Sequence, residues 1–264
     1  MANLASRCHL PTPQNPPRYF ISRPTHNHRQ FTTVSCCCST PSHPRALHKT
    51  LSEITSSGII ACLRAPSADV AREAAAAALS SGISVLEIVM STPGVLQVVG
   101  DLVGDYPTST IGVGTVLNAE DAKKAVDCGA KFLMSPAIVT GILDYARNGE
   151  FLYIPGVMTP TEILSAHAAG AQVVKVYPVS ALGGVQYISA LKKPFPHIPM
   201  VASQGITIDS IRDYIACGAV AVVLSDSIFD KDAISRKNFK MISQLAYTAS
   251  YSAKEAIEQC SKKR

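Results

Sequence analysis

A short phrase recurs along this chain: a helical run, a glycine, then a brief apolar strand. It reads Ser80-Ser81-Gly82 ahead of Val85-Leu86-Glu87-Ile88-Val89, and Asp127-Cys128-Gly129 ahead of Phe132-Leu133-Met134. It returns as Ala168-Ala169-Gly170 ahead of Val173-Val174-Lys175-Val176, and as Ala216-Cys217-Gly218 ahead of 220–224. Gly104 and Gly149 hold the intervening places, so the gaps run 22, 25, 20 and 21 residues and then 48, two periods. Each glycine suits the left-handed position just past a helix end, where a Cβ is penalised. The strands are apolar on both faces, as in a parallel sheet covered by helices.

Strands are expected near 59–63, 84–90, 109–113, 131–135, 151–154, 172–177, 199–202 and 219–224, with helices over 68–80, 95–103, 119–127, 138–148, 161–168, 184–191 and 208–216. Eight βα units in about 200 residues imply an α/β fold, a small (β/α)8 TIM barrel. An open doubly wound sheet also alternates strand and helix. It usually carries a Gly-rich phosphate loop after its first strand, where this chain has Arg64-Ala65-Pro66-Ser67. With 47% hydrophobic and 16% charged residues in 264, the chain can fill one large core. Its strongest apolar run, 219–224, is of strand length, far below the roughly 18–20 residues of a membrane-spanning helix.

The formal charge of +5 is unevenly spread. Arg7, Arg18, Arg23, Arg29, Arg45 and Lys49 all precede the first acid, Glu53, and the remainder from Leu51 on sums to −1. A near-neutral body has no electrostatic footprint for nucleic acid or an anionic membrane. Residues 1–50 are Arg-rich, acid-free and full of Ser, Thr, Pro and His, the composition of a disordered transit peptide, leaving 51–264 as the catalytic barrel. Ser, Thr and Pro outnumber Arg, which favours the chloroplast over the mitochondrion. The adjacent Cys36, Cys37 and Cys38 lack the spacing of a metal site, so no metal is expected there. Cys62, Cys128 and Cys217 read as small core hydrophobes. His167, His197 and the Lys262-Lys263-Arg264 tail read as structural.

In a (β/α)8 barrel, chemistry sits at the C-terminal strand ends. Those ends hold Arg64, Glu87, Thr115, Ser135-Pro136, Pro155-Gly156, Lys175, Ser203-Gln204-Gly205 and Ser225-Asp226. Lys175 interrupts a strand that should be buried on both faces, and lysines are rarely buried without a reason. A lysine pointing into a barrel loses hydration, which favours the uncharged amine, a nucleophile toward a carbonyl. The bland alternative is an edge-strand lysine whose stem reaches to water. Glu87 likewise interrupts an apolar strand, and a lone buried carboxylate is costly. A Lys and a Glu in one barrel mouth can exchange protons; the alternative is a structural ion pair. Arg64 could fork onto a substrate carboxylate or pair with a helix acid such as Asp69.

Leu86-Glu87, the run from Gly112 to Asn118 (Gly-Val-Gly-Thr-Val-Leu-Asn), Ser135-Pro136, the run from Ile154 to Glu162 (Ile-Pro-Gly-Val-Met-Thr-Pro-Thr-Glu) and Val174-Lys175-Val176-Tyr177-Pro178 occur in order. Together they resemble the 2-keto-3-deoxy-6-phosphogluconate (KDPG)/4-hydroxy-2-oxoglutarate (KHG) aldolase family over roughly 51–248. The resemblance implies a class I aldolase on a TIM barrel, a homotrimer needing neither metal nor cofactor, with a small oxo acid as substrate. It makes Lys175 the Schiff-base lysine and Glu87 the general acid/base. Thr115 and Pro136 match positions that hold the pyruvate moiety, Tyr177 an aromatic lining the site, and Ser203 a substrate contact. The carboxylate-binding arginine falls to Arg64, because Ser91 stands at the other position where relatives carry it.

The phosphate end departs from the family pattern. Ser203-Gln204-Gly205 replaces a Thr-Gly-Gly whose N–H groups cradle phosphate, and Ser225-Asp226 replaces a Gly-Ser pair. Losing a glycine restricts backbone approach, and an Asp beside a dianion costs Coulomb energy. Gly205 and Ser225 remain as phosphate contacts, with weakened binding of phosphorylated substrates expected. Two other readings are a phosphate-binding barrel isomerase or synthase without imine chemistry, and a non-catalytic barrel descendant.

Overall fold

The computed structural model describes residues 44–147 and 149–262. Most of the expected presequence, including Cys36, Cys37 and Cys38, lies outside the described residues. The elements alternate: α1 (Pro44–Ser57), β1 (Ile59–Leu63), α2 (Ala68–Leu79), β2 (Val85–Val89), α3 (Val95–Asp105), β3 (Thr110–Gly114), α4 (Ala119–Asp127) and β4 (Phe132–Met134). There follow α5 (Thr140–Ala146), β5 (Leu152–Ile154), β6 (Gly156–Val157), α6 (Pro160–Ala168), β7 (Val174–Val176), α7 (Gly184–Lys192) and β8 (Met200–Ser203). The chain ends with α8 (Ile211–Ala216), β9 (Ala221–Leu224), α9 (Lys231–Ser235) and α10 (Phe239–Ser261).

All pairings are parallel, in the order β5-β4-β3-β2-β1-β9-β8-β7-β6. The two ends of that order, β5 and β6, are separated in the chain by Pro155 alone. They are halves of one strand, the first bonded to β4 and the second to β7, so the sheet comes round on itself. Proline offers no N–H to a ladder, which breaks the strand there. Its carbonyl still accepts from the Lys175 N–H at 2.8 Å. The eight expected strands are thus present as an α/β barrel.

Within each strand, alternate residues enter two different apolar environments. Ile59, Ala61 and Leu63 face the surrounding helices, whereas Ile60, Val85, Phe132, Met134, Ile154, Val173, Val201 and Ala221 fill the barrel interior. The period of two is real, but neither face meets water, so the sequence reads as unbroken apolar runs.

Gly82, Gly129, Gly170 and Gly218 adopt φ between 94° and 104°, the left-handed ends their phrase requires. Gly104 instead lies inside α3, which runs one residue further. Glu162 and Thr159 form a reciprocal capping box at the start of α6. The Met158 and Thr159 N–H groups donate to Glu162 Oε2 at 2.5 and 2.9 Å, and these backbone bonds hold the Glu162 carboxyl below the usual carboxylate range. Part of the Thr-Pro-Thr-Glu motif therefore shapes a corner.

Three helices were not among those expected. α1 begins at Pro44, ahead of the boundary drawn at Leu51, and sets Ile54, fully buried, into the inner core, closing the N-terminal mouth of the barrel. α9 and α10 supply the eighth helical unit. α10 packs on α2 and α8 through Ala246, Ala249, Ala253 and Ala256, small residues that let helices approach closely.

Candidate active site

At the opposite, C-terminal mouth, the strand ends surround a cavity of about 650 Å³. Its lining includes all nine residues expected from the sequence: Lys175 and Glu87; Arg64, Thr115, Pro136, Tyr177 and Ser203; and Gly205 and Ser225.

Lys175 is 6% exposed and pairs with Gly156 on one side and Val201 on the other. It is central to the sheet, which removes the edge-strand alternative. Its Nζ stands 5.3 Å from the Tyr177 ring centroid, so amine and aromatic share one wall.

Glu87 is 3% exposed. Burial pushes its carboxyl above the usual range, while Lys175, the neighbouring Cys62 thiol and the Arg64 guanidinium pull it back in that order. A carboxyl so placed suits proton transfer near neutrality better than an exposed one. The space it occupies is made by glycine: a Cβ on Gly114 would lie 1.4 Å from Glu87 Oε1.

Arg64 follows β1. Its backbone is fixed from the next residue, whose N–H donates to the buried Thr92 hydroxyl at 3.3 Å. Asp69, the acid that would make Arg64 merely structural, is held instead by Arg72 at 2.7 Å. Thr115 adopts φ 58°, costly for a β-branched residue and of the kind found at functional sites. The fully buried Ser135 donates its hydroxyl to the Val116 carbonyl, tying the turn that carries Pro136 to the loop that carries Thr115. Gly156 keeps this corner tight, since a Cβ there would sit 2.2 Å from the Pro136 carbonyl.

At the far end of the cavity Gln204 holds φ 85° and Gly205 φ 71°. The Gln204 side-chain carbonyl accepts a hydrogen bond from Ser180, and Ser180 Oγ stands where a Cβ on Gly205 would come within 2.5 Å. Asp226 is not bare: Lys231 pairs with it at 3.1 Å. Ser227 donates to the Ile206 carbonyl at 2.8 Å, joining the loops after β8 and β9. A second cavity of about 520 Å³ shares Cys62, Arg64, Val89, Ser225 and Asp226 with the first and extends to Phe229 and Lys231.

Sequence reasoning missed Cys62, Gln204's own contact with Ser180, Ser227 and Lys231. Cys62 packs against the inner core as expected, and it also lines the cavity beside Glu87. Its signal was available in the alternation, since Ile60 faces inward and Cys62 is two residues on.

A family model described as KDPG and KHG aldolase matches residues 51–245. The KHG/KDPG aldolase of Escherichia coli K12 is 29% identical over 180 residues, 68% of this chain and 84% of that protein. The 2-dehydro-3-deoxy-phosphogluconate aldolase of Haemophilus influenzae is 31% identical over 62% of this chain and 78% of its own length. Among solved structures, KDPG aldolase from Legionella pneumophila, captured with pyruvate as a covalent carbinolamine, superposes with TM-score 0.71 at 25% identity, covering 76% of this chain and 97% of that one. A 3-hexulose-6-phosphate synthase, at 15% identity and TM-score 0.54, shares the fold alone. Because the family match spans nearly the whole barrel, from the residues of α1 that close one mouth to the loops that form the other, the chain belongs to the KDPG and KHG aldolase family.

Proposed function

We propose that this protein is a class I aldolase that cleaves a 4-hydroxy-2-oxo acid, KDPG or 4-hydroxy-2-oxoglutarate, to pyruvate and an aldehyde. The observation that carries this is a buried lysine on a central strand, in one cavity with a buried carboxyl on β2. Lys175 attacks the C2 carbonyl with its lone pair, and loss of water from the carbinolamine gives a protonated imine. The C3–C4 bond then breaks with its electron pair passing to the imine, leaving an enamine. Glu87, through a water molecule, accepts the C4 hydroxyl proton and returns one to C3. Arg64 and Thr115 hold the carboxylate and so fix which carbonyl meets the amine. Water then hydrolyses the imine and frees pyruvate. The other product is glyceraldehyde 3-phosphate or glyoxylate. Because the imine is the electron sink, the chemistry calls for no metal.

Borohydride added with pyruvate tests this: a stable adduct on Lys175, found by mass, is the expected result. Absence of adduct overturns the reading in favour of a barrel without imine chemistry.

We also propose that the grip on a distal phosphate is weakened, chiefly by Gln204, since Lys231 offsets the charge of Asp226. Gln204→Gly relieves a left-handed non-glycine residue and opens the loop. The expected result is a several-fold higher kcat/KM for the phosphorylated substrate with little change for the unphosphorylated one. Equal effects on both would count against it. Composition supports a chloroplast address in residues 1–50, and family membership supports a homotrimer; a fluorescent fusion and light scattering check these.

A further inference from the structure

Cys62 and Glu87 are Cα partners across β1 and β2. Ile60 and Val85, each two residues earlier on its strand, are in the inner core, so the thiol and the carboxyl project side by side toward the barrel axis. Cys62 also lines both cavities. On the other flank, β3 presents Gly112 and Gly114 to Glu87, and neither has a side chain to hold it. Position on that flank is left to empty space; on the β1 flank it is left to sulfur.

We propose that Cys62 is a positioning residue, its thiol donating the hydrogen bond that holds the Glu87 carboxylate in place over Gly114. The inference rests on the reading of Glu87 as the proton carrier of an aldolase. Burial and the neighbouring Glu87 both push the Cys62 thiol well up, against smaller opposing effects of Lys175 and Arg64, so sulfur keeps its proton and remains a donor. The titratable and charged groups facing Glu87 are therefore Cys62 on β1, Arg64 just beyond it and Lys175 on β7. The thiol bond favours the carboxylate, so removing it makes Glu87 hold its proton to higher pH. A small apolar residue at position 62 would fill the same space and do none of this.

The test uses the full chain and pyruvate alone, so the identity of the aldehyde does not enter. Enamine formation needs Glu87 to take a proton from C3, and in D2O this exchanges the pyruvate methyl protons, followed by NMR across pH. With Cys62→Val the acid-side limb of the exchange rate is expected to move up by about one pH unit, about a tenfold loss on that limb. Cys62→Ser keeps a donor and is expected to return the limb toward the parent position. Cys62→Ala provides the same comparison should valine not be accommodated. A limb that stays put in Val or Ala, or that moves equally in Ser, overturns the proposal. Borohydride trapping of the parent protein separates the two ideas. No adduct removes the aldolase reading itself, whereas an adduct with an unmoved limb removes only the role of Cys62.

Discussion

Lys175→Met leaves a folded barrel without detectable cleavage, a loss of at least about 10⁴-fold in kcat/KM, because Lys175 is the one amine among the described residues that line the cavity. Methionine is chosen for its length and flexibility. It fills the 6%-exposed channel that the lysine stem occupies between Gly156 and Val201 without a new cavity. Stability is expected to hold or rise, since the substitution takes a polar nitrogen out of a largely apolar interior. Borohydride with pyruvate should then give no adduct, and methyl exchange should fall to background. The informative measurement is the pair of outcomes together. Lost activity with an unchanged or higher midpoint of unfolding places Lys175 in the chemistry. Activity within tenfold of the parent would mean the imine forms elsewhere or not at all.

Much of this architecture was legible because a (β/α)8 barrel repeats one local decision. Each unit needs a helix end, a residue that can turn left-handed, and a strand buried on both sides, and Gly82, Gly129, Gly170 and Gly218 mark those ends. Polar residues inside such strands then stand out, which is how Lys175 and Glu87 were found. What escaped had no such contrast. α10 packs mainly through alanine, α1 offers Thr50, Leu51 and Ile54 to the barrel, and α1 begins among residues whose composition reads as presequence. Cys62 escaped because cysteine is itself a small apolar residue, and its meaning depends on the register that sets it beside Glu87. Asp226 was legible as a charge in the wrong place, yet its pairing with Lys231 is a tertiary fact that no spacing announced.

Gly114→Ala should damage catalysis more than folding. Gly114 ends β3, directly beside Val89 of β2, and the Glu87 side chain lies across it. An added Cβ would fall 1.4 Å from Oε1, 2.3 Å from Cδ and 2.8 Å from Cγ, so the entire carboxyl must leave its place. It cannot retreat toward β1 without meeting Cys62, and the next residue, Thr115, already holds φ 58° and has little freedom to carry the backbone away. A displaced proton carrier costs about 10²- to 10⁴-fold in the steps that need it, the range of general acid–base catalysis. Those steps are C3 exchange and C–C cleavage, whereas trapping of pyruvate on Lys175 by borohydride should persist at a reduced rate. Gly112→Ala provides the contrast two residues earlier. There a Cβ would sit 2.5 Å from the fully buried Phe132 ring, in the barrel core below the cavity, so the harm should appear in unfolding, at about 1–3 kcal/mol for an overpacked core. If Gly114→Ala instead exchanges pyruvate protons at the parent rate, the carboxyl over that glycine is not the group that moves them.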